Sequence, residues 1–508
     1  MVGYERIKSL ASSFGLRESL AQLWALSTHI VYGQDLPPGY GGADYRDHAG
    51  SAPGKIREFH LDLYAREILM HAGPSGTARR SLRMHRDLRV FHNAILKYGD
   101  QHSGGKEELY LTLHRLSLEQ MPHFDRADWA YLGRYSLLLK HTAMSQLYES
   151  VFGLTSFDYI RFTSGLFTLY FHRPECRPIE ELAILQLKRT AVETCLHRMQ
   201  ATATQIRNRM RANMRHTSSW QYTFNELVST PLIQLPGSQL GSLFCPRPSL
   251  LLKRMMAGSL FDLYKADSTG YSKAVGAGVD EAVGAVCTKV MGVAPVKPEH
   301  YGPKHRRRAG VDWIIADDSA CLYIECKATQ ISKNARTAAS IDELRMGLRH
   351  LASAVAQNAE NIHDVMEGRT GWAPGDRSAF SLVVTLEDWV IFSPVAVTEV
   401  RKLSEHQLQS KNLNPDLLDR YPFTIISLAE LPNLLAAIAK EGIEAVFRSK
   451  ASDRYSNHMM SAFLRDSGRD SGAARNLYEA IGNQVFLEVL GTMDEARRMT
   501  VAAKLDKA

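Results

Sequence analysis

Apolar residues in the first half of the chain recur every three to four positions, which is the spacing of one face of an α-helix. Breaks rich in glycine and proline, such as residues 35–39 and 73–76, interrupt the pattern. The pattern predicts helices over residues 5–31, 57–71, 79–98, 106–120 and 128–153. The first half is therefore expected to be mostly α-helical.

A further long helix is predicted from Pro178, a residue suited to the first helical position, to about Arg215. Its last part, ATQIRNRMRANMRH, is basic and has no acidic residue. Two interpretations stay open. The arginines form a phosphate-facing surface, or they form a solvated helix end at which cations favour the C-terminal dipole.

Beyond about residue 265 the pattern becomes mixed α/β. A helix is predicted over 275–291, followed by two short apolar runs and a helix over 337–364. Further strands are expected within 381–392 and 422–428, followed by helices at 397–410 and 429–442. We expect a mixed sheet flanked by helices, preceded by a large, mostly α-helical domain.

At 508 residues, the chain is long enough for two or three domains. Residues 217–250 are rich in Ser, Thr, Pro and Gly, which favours a linker. The predicted organisation is a helical recognition or regulatory domain, a linker with a connecting helix, a mixed α/β domain and a helical tail, over residues 1–216, 217–265, 266–450 and 451–508.

Composition adds few constraints. A net charge of +7 is compatible with a nucleic-acid partner but does not establish one. The six cysteines show neither a C-x-x-C pair nor zinc-ligand spacing, which favours a reduced, cytoplasmic location. No signal-peptide core and no long apolar run is found, so no membrane association is expected.

The most informative stretch is GVDWIIADDSACLYIECKAT, residues 310–329. Two apolar runs flank the turn-forming residues 317–320, which predicts a β-hairpin. Counting outward from that loop sets Asp312 opposite Glu325, and the period of two along a strand puts Lys327 on the same face. Three charged side chains are thus expected in one patch.

Two opposed carboxylates repel each other, so a partly buried pair needs a neutralising ion. Lys327 balances one charge. A Mg²⁺ ion suits the remainder because it binds one or two carboxylates while keeping several waters and room for a phosphate oxygen. Such a patch is suited to phosphodiester hydrolysis. The alternative is a salt-bridged pair at a sheet rim, which leaves one acid uncompensated.

Asp312, followed thirteen residues later by Glu325-Cys326-Lys327, resembles the PD-(D/E)XK nuclease superfamily, whose fold is restriction-endonuclease-like. This triplet is the only acid-x-Lys triplet in the chain, although Val311 stands where the family's proline would be. The resemblance covers about residues 266–450. It implies that Asp312, Glu325 and the Cys326 carbonyl bind Mg²⁺, with Mn²⁺ as a substitute, and that Lys327 assists the attacking water.

Many members of this family carry a further acid on the preceding helix. Here Val279, Val283, Val286 and Val290 mark the apolar stripe of that helix. The resemblance selects Glu281, with Asp280 beside it, as the additional catalytic and metal-binding acid. An ordinary first-turn acid that favours the helix dipole is the alternative.

Basic residues on both sides of the hairpin are candidate nucleic-acid contacts, and a solvated loop is the alternative for those upstream. They are Lys304, Arg306, Arg307 and Arg308 upstream, and Lys333 and Arg336 downstream. Arg345 and Gln357 lie further downstream, on the predicted helix over 337–364, which is expected to face the same substrate.

The sequence leads to three functional hypotheses. The first is a Mg²⁺-dependent nuclease, with endo- or exonucleolytic action left open and DNA favoured over RNA, of the kind found among bacterial restriction and antiphage effectors. The second is a non-catalytic nucleic-acid-binding or assembly protein that retains the fold as a scaffold. In the third, the helical half binds a protein partner or a second copy of the chain, with the nuclease as its effector.

Overall fold

The computed structural model describes residues 2–40, 56–99, 111, 114, 129–214, 220–302, 307–332, 335, 340–389 and 394–505. The chain divides into two compact units. The first comprises Met1–Ser136, Ser145–Ser268 and Gly482–Ala508, and the second comprises Leu137–Met144 and Thr269–Ile481. The fold is mixed helix and sheet, as the sequence predicts.

The first unit is mostly helical. Its helices up to the first sheet are α1 (Val2–Ser12), α2 (Leu16–Tyr32), α3 (Glu58–His71), α4 (His85–Gly99), α5 (Trp129–Leu139), α6 (Thr142–Phe152) and α7 (Ser156–His172), except that the end of α5 and the start of α6 belong to the second unit. Five of the predicted helical segments lie here. Two of these segments, 5–31 and 128–153, each form two shorter helices, and 106–120 lies almost entirely outside the described residues.

The predicted helix from Pro178 to Arg215 is wrong. The segment is divided into α8 (Pro178–Glu181), a 3₁₀ turn, α9 (Arg189–His197), a short strand and α10 (Ala203–Asn213). Gln186 has a φ of 54°, in the left-handed region, and this conformation ends the first part. Thr202 then caps α10 by accepting a hydrogen bond from the Gln205 amide.

A small four-stranded sheet belongs to the first unit. Its strands are β1 (Glu175–Cys176), β2 (Gln200–Thr202), β3 (Leu232–Gln234) and β4 (Leu243–Phe244), in the order β1-β4-β3-β2. The strands β2 and β3 are parallel, and the other two pairs are antiparallel.

The segment 220–265, for which the sequence predicts a linker and a connecting helix, is folded into the first unit. It contributes β3, β4 and the helices α11 (Pro248–Met255) and α12 (Ala257–Ala266). Trp220 is buried, and the buried Arg247 pairs with Glu58 of α3 at 3.0 Å. The serine and proline content predicted an irregular backbone here. The segment is instead ordered by burial of its side chains and by ion pairs with residues distant in the sequence.

The second unit carries the mixed α/β part of the chain. Its elements are α13 (Ser268–Met291), β5 (Trp313–Ala316), β6 (Ala320–Lys327), α14 (Ile341–Met366), β7 (Ser378–Thr385), α15 (Pro394–Ser410), α16 (Leu417–Arg420), β8 (Phe423–Ser427), α17 (Leu431–Glu441), α18 (Ile443–Ala451), α19 (Met460–Asp466) and the part of α20 (Ala473–Leu505) up to Ile481. These elements confirm the predicted helices and strands between 275 and 442.

The four strands of the second unit form a mixed sheet in the order β5-β6-β7-β8. β5 and β6 are antiparallel, whereas β6, β7 and β8 run parallel. Parallel neighbours require a crossover, and α14 and α15 supply the two crossovers. Ser340 caps α14 by accepting a hydrogen bond from the Glu343 amide at 3.3 Å.

The second unit extends beyond the boundary expected at residue 450. Residues up to Ile481 belong to it. The Tyr478 hydroxyl donates a hydrogen bond of 2.5 Å to the carbonyl of Leu428, which follows β8. This buried contact explains why the start of α20 is part of the second unit rather than of a separate tail.

Two contacts orient helices against this sheet. Asn358 of α14 is buried, and its Nδ2 donates to the Tyr323 carbonyl of β6 at 3.0 Å. Gly284 of α13 lies against the ring of Trp313, so close that a Cβ there would be 2.6 Å from the ring. Together these contacts set which residues of the two helices reach the end of the hairpin.

Candidate functional site

The predicted hairpin register is confirmed. Ala316 pairs with Cys321, and the pairing continues as far as Trp313 and Ile324. Asp312 stands one residue before β5, and its amide donates to the Ile324 carbonyl at 3.0 Å. Asp317 closes the turn, because its Oδ1 accepts from the amides of Ser319 and Ala320.

A short hydrogen bond fixes the Asp312 carboxylate. Its Oδ2 accepts from the Cys326 amide at 2.6 Å. Burial raises the pKa of Asp312, the Cys326 amide opposes this shift, and the charge of Asp280 adds to it. The first acid of the motif is thereby held directly against the E-x-K triplet.

Glu325 is the most perturbed acid of the site. It is 2% exposed, and its Oε1 accepts from the Lys327 ammonium at 2.6 Å. Its Oε2 is buried without a hydrogen-bond partner. Burial raises the pKa of Glu325 to about 7; Lys327 opposes the shift, and the charges of Asp312 and Asp280 add to it.

Lys327 connects β6 to α14. Besides Glu325, its Nζ donates to Oε1 of Gln357 at 3.2 Å. The sequence placed Gln357 only as a residue further along the helix, and the structure brings it to the catalytic lysine candidate. The Asn358 contact sets the rotation of α14 that permits this.

Asp280, and not Glu281, interacts with the cluster formed by Asp312, Glu325 and Lys327. Burial is the main cause of the raised pKa values of Asp312 and Glu325, and the charge of Asp280 raises both further. Its Oδ1 is buried and has no hydrogen-bond partner. The Glu281 side chain is instead 61% exposed, with a carboxylate oxygen 3.9 Å from His141. The choice of Glu281 as the extra acid is therefore corrected to its neighbour.

The rotation of α13 explains this correction. Gly284, four residues after Asp280, gives the close approach to Trp313, and Trp313 Nε1 donates to the Asp280 carbonyl at 3.0 Å. The face of α13 that carries positions 280 and 284 therefore lies toward β5. A glycine four residues from an acid is the sequence signal that could have identified Asp280.

Lys297 was not predicted as part of the site. Its ammonium pairs with Oδ2 of Asp280 and lies 4.9 Å from the centroid of the Trp313 ring. It stands in the irregular segment between α13 and β5. No periodicity marks it in the sequence, because its position depends on the path of that segment.

The acids at this end of the sheet are the candidate cation ligands. Within the described ranges, no group of three or more His, Cys, Asp or Glu side chains forms a set that could hold a metal ion. The predicted set of Asp312, Glu325, Glu281 and the Cys326 carbonyl is thus not found as such a group; without the exposed Glu281, it comprises two carboxylates and one carbonyl. The N–H and C=O of one strand residue point to the same side, so that carbonyl faces the side on which Asp312 lies.

Two buried carboxylate oxygens without hydrogen-bond partners favour a cation near the Glu325-Cys326-Lys327 triplet. Glu325 Oε2 and Asp280 Oδ1 are buried acceptors without partners. Lys297 pairs with Asp280 and Lys327 pairs with Glu325, and the charges of Asp280, Asp312 and Glu325 interact with one another. The donor set fits a hard divalent cation that takes one or two carboxylates and completes its shell with water.

Comparison with family models, with curated proteins and with solved structures finds no match to this chain. The interpretation of the site therefore rests on the residues and contacts themselves. Across the described part of the chain, no helix is both long and apolar enough to cross a membrane.

The structure separates the predicted nucleic-acid contacts. Lys304, Arg306, Lys333 and Arg336 lie outside the described residues. Arg307 is exposed. Arg308 pairs with Glu360 at 3.0 Å and with Asp364 at 3.2 Å, so its guanidinium holds the upstream loop to α14. Arg345 similarly pairs with Glu399 at 2.7 Å.

The basic helix α10 has a structural use that neither interpretation anticipated. Arg207 donates to the Leu69 carbonyl at 2.9 Å, and Arg211 donates to the Met70 carbonyl at 3.3 Å. Both carbonyls are in the last turn of α3, where carbonyls lack partners within the helix. The two arginines supply the missing hydrogen-bond donors. Arg215 lies outside the described residues.

Proposed function

We propose that the second unit is a metal-dependent nuclease that hydrolyses phosphodiester bonds, with DNA as the favoured substrate. One observation carries this proposal: Asp312, Glu325 and Lys327 lie together at the end of a sheet, with one oxygen of the buried Glu325 left without a partner. A purely structural ion pair gives no reason for a second, half-buried acid beside it.

The order of elements supports the same proposal. A helix, an antiparallel hairpin, a crossover helix and a parallel strand follow one another from α13 to β7. This order is compatible with the restriction-endonuclease-like fold that the motif resembles. The acids stand on β6, directly before β5 and on α13, where they converge at one end of the hairpin.

Each residue has a proposed role. Asp312, Glu325 and the Cys326 carbonyl would hold Mg²⁺ or Mn²⁺, with Asp280 as the nearby third acid. When bound, such an ion supplies charge stabilisation at a phosphate and a lower pKa for bound water. Lys327 holds Glu325 Oε1 and orients the attacking water, and Gln357 fixes the position of the Lys327 ammonium.

Substrate binding is proposed to use charge rather than base recognition. The chain carries a net charge of +7, and Arg307 is exposed upstream of Asp312. Contacts of this kind bind the phosphate backbone without reading its sequence. A nuclease joined to a large helical unit that recognises a trigger or partner is the arrangement of restriction and antiphage effectors, and we propose that context by analogy.

A cleavage assay tests the proposal. The full chain is incubated with plasmid, linear duplex DNA, single-stranded DNA and RNA, in Mg²⁺, Mn²⁺ or EDTA. The variants are Asp312→Ala and Lys327→Ala, and the control is Asp318→Ala, an exposed acid in the turn of the same hairpin. We expect metal-dependent cleavage by the wild type and the control, with a loss of about 100-fold or more in both site variants.

Two outcomes count against the proposal. Cleavage that persists in Asp312→Ala and in Lys327→Ala would remove the site assignment. If every substrate stays intact while the protein still binds DNA, the non-catalytic scaffold becomes the better interpretation. Thermal unfolding of each variant shows whether a loss of activity comes from loss of the fold.

A further inference from the structure

Lys297 places a second ammonium group at the proposed metal site. Its Nζ pairs with Asp280 Oδ2 and lies over the ring of Trp313, 4.9 Å from the centroid. Trp313 is hydrogen-bonded to the same residue, because its Nε1 donates to the backbone carbonyl of Asp280 at 3.0 Å. The lysine is thus held at the site by both a carboxylate and an aromatic face.

The pairing is one-sided. The Lys297 side chain is 57% exposed, whereas that of Asp280 is 22% exposed, so the lysine reaches the acid from the solvent side. It binds only Oδ2, and Oδ1 stays buried without a hydrogen-bond partner. Glu325 Oε2, on the same cluster, is buried and partnerless as well. The acids retain capacity for a cation that the lysine does not use.

Charge balance indicates what the lysine does. The three acids carry −3 when ionised, and Lys297 and Lys327 together carry +2, which leaves −1. One divalent ion brings the cluster to +1, and a second ion would bring it to +3. Without Lys297 the same two steps give 0 and +2. The ammonium of Lys297 therefore opposes a second ion directly, and it also occupies one of the two carboxylate oxygens of Asp280.

We propose that Lys297 is a tethered cation that takes the place of a second divalent ion and so limits the site to one. This inference rests on the proposed function, since it concerns the metal that the nuclease would use. Lys297 is a positioning residue here: it acts through Asp280 and does not contact the reacting atoms.

Metal binding, measured without substrate, tests the inference. Mn²⁺ is titrated into the full chain, with calorimetry for affinity and electron paramagnetic resonance for the number of bound ions. Lys297→Met keeps an unbranched side chain of similar length but removes the charge. The double variant Lys297→Met/Asp280→Asn removes the freed carboxylate as well. Lys289→Met, an exposed lysine on α13, is the control.

We expect one Mn²⁺ in the wild type. Lys297→Met should bind a second Mn²⁺ ion. The double variant should return to wild-type stoichiometry, and the control should match the wild type. Lys297→Gln gives a second uncharged variant if the methionine protein unfolds early.

Unchanged stoichiometry in Lys297→Met would overturn this inference, whatever the affinity, and would leave the proposed function standing, since the wild type would still bind its ion. A gain of equal size in Lys289→Met would also overturn it, because the effect would then reflect net charge alone. If no form of the protein binds Mn²⁺, both the inference and the proposed function fail.

Discussion

The backbone amide of Cys326 donates a hydrogen bond of 2.6 Å to Oδ2 of Asp312. This contact joins the residue that precedes β5 to the middle residue of the Glu325-Cys326-Lys327 triplet. It positions the first acid by the backbone of β6 rather than by a flexible side chain. Asp312 is therefore preorganised for a ligand even though its carboxylate is only half-buried.

The corrected choice of the third acid gives a direct comparison of neighbours. Asp280→Asn should lower cleavage activity by about 10- to 100-fold, because a carboxylate that adjoins Asp312 and Glu325 is neutralised. Glu281→Gln should leave activity unchanged, because its side chain is 61% exposed and lies beside His141. Initial rates on the best substrate measure both. Equal losses in the two variants would contradict the placement of Asp280.

The buried Glu325 predicts an unusual dependence of stability on pH. Its pKa rises from 4.5 to about 7 on folding, so the metal-free folded state binds more protons than the unfolded state between these values. Stability from this group is fully present below pH 4.5 and is lost as the pH rises through about 7. The loss amounts to at most about 3 kcal/mol.

Glu325→Gln tests this dependence. In EDTA, the variant should be more stable than the wild type at pH 8, and the difference should disappear near pH 4, since glutamine resembles the protonated acid. Urea unfolding across this range measures the free energy of unfolding, with Glu299→Gln, an exposed acid, as control. A difference that does not change with pH would show that Glu325 does not titrate in this range.

The close approach of α13 to β5 predicts opposite effects of two glycine substitutions. Gly284→Ala places a Cβ 2.6 Å from the Trp313 ring and should destabilise the fold by about 1–3 kcal/mol. Gly276→Ala in the same helix meets nothing within 4 Å and should stabilise it by up to about 1 kcal/mol.

Thermal unfolding, followed by tryptophan fluorescence, measures both glycine variants. Because Trp313 donates to the carbonyl of Asp280, Gly284→Ala should also displace the acid and reduce cleavage. A Gly284→Ala protein as stable as Gly276→Ala would mean that the helix and the ring do not pack in this way.

Gln357 provides a graded test of Lys327. Gln357→Leu removes one acceptor of the Lys327 ammonium and leaves Glu325, so kcat should fall by about tenfold rather than completely. Gln357→Glu restores an acceptor and should recover part of the rate. Gln409→Leu, an exposed position on α15, is the control. A loss as large as that of Lys327→Ala would indicate that Gln357 does more than position the lysine.

Short-range rules were sufficient for the hairpin. Its four-residue loop and the period of two along each strand predicted the pairing of Ala316 with Cys321, and the structure has this pairing. The helices and strands between residues 275 and 442 were predicted for the same reason, since their apolar spacing matches the face that they bury.

Regular spacing failed where distant contacts decided the conformation. Residues 178–215 contain helical spacing, yet Gln186 at a φ of 54° and the strand β2 interrupt the helix. The serine- and proline-rich segment after it is ordered by Arg247, which pairs with Glu58 far away in the sequence. Neither feature has a local signal.

The sequence by itself determined the chemical identity of the patch: Asp312, Glu325 and Lys327, brought together by strand periodicity and one turn. Only the tertiary structure decided which further residues join them. Asp280 arrives through the packing of Gly284 on Trp313, Gln357 through the rotation of α14, and Lys297 through the path of an irregular segment. The physical reason is that periodicity specifies which face a residue occupies within its own element, whereas the meeting of faces depends on packing between elements.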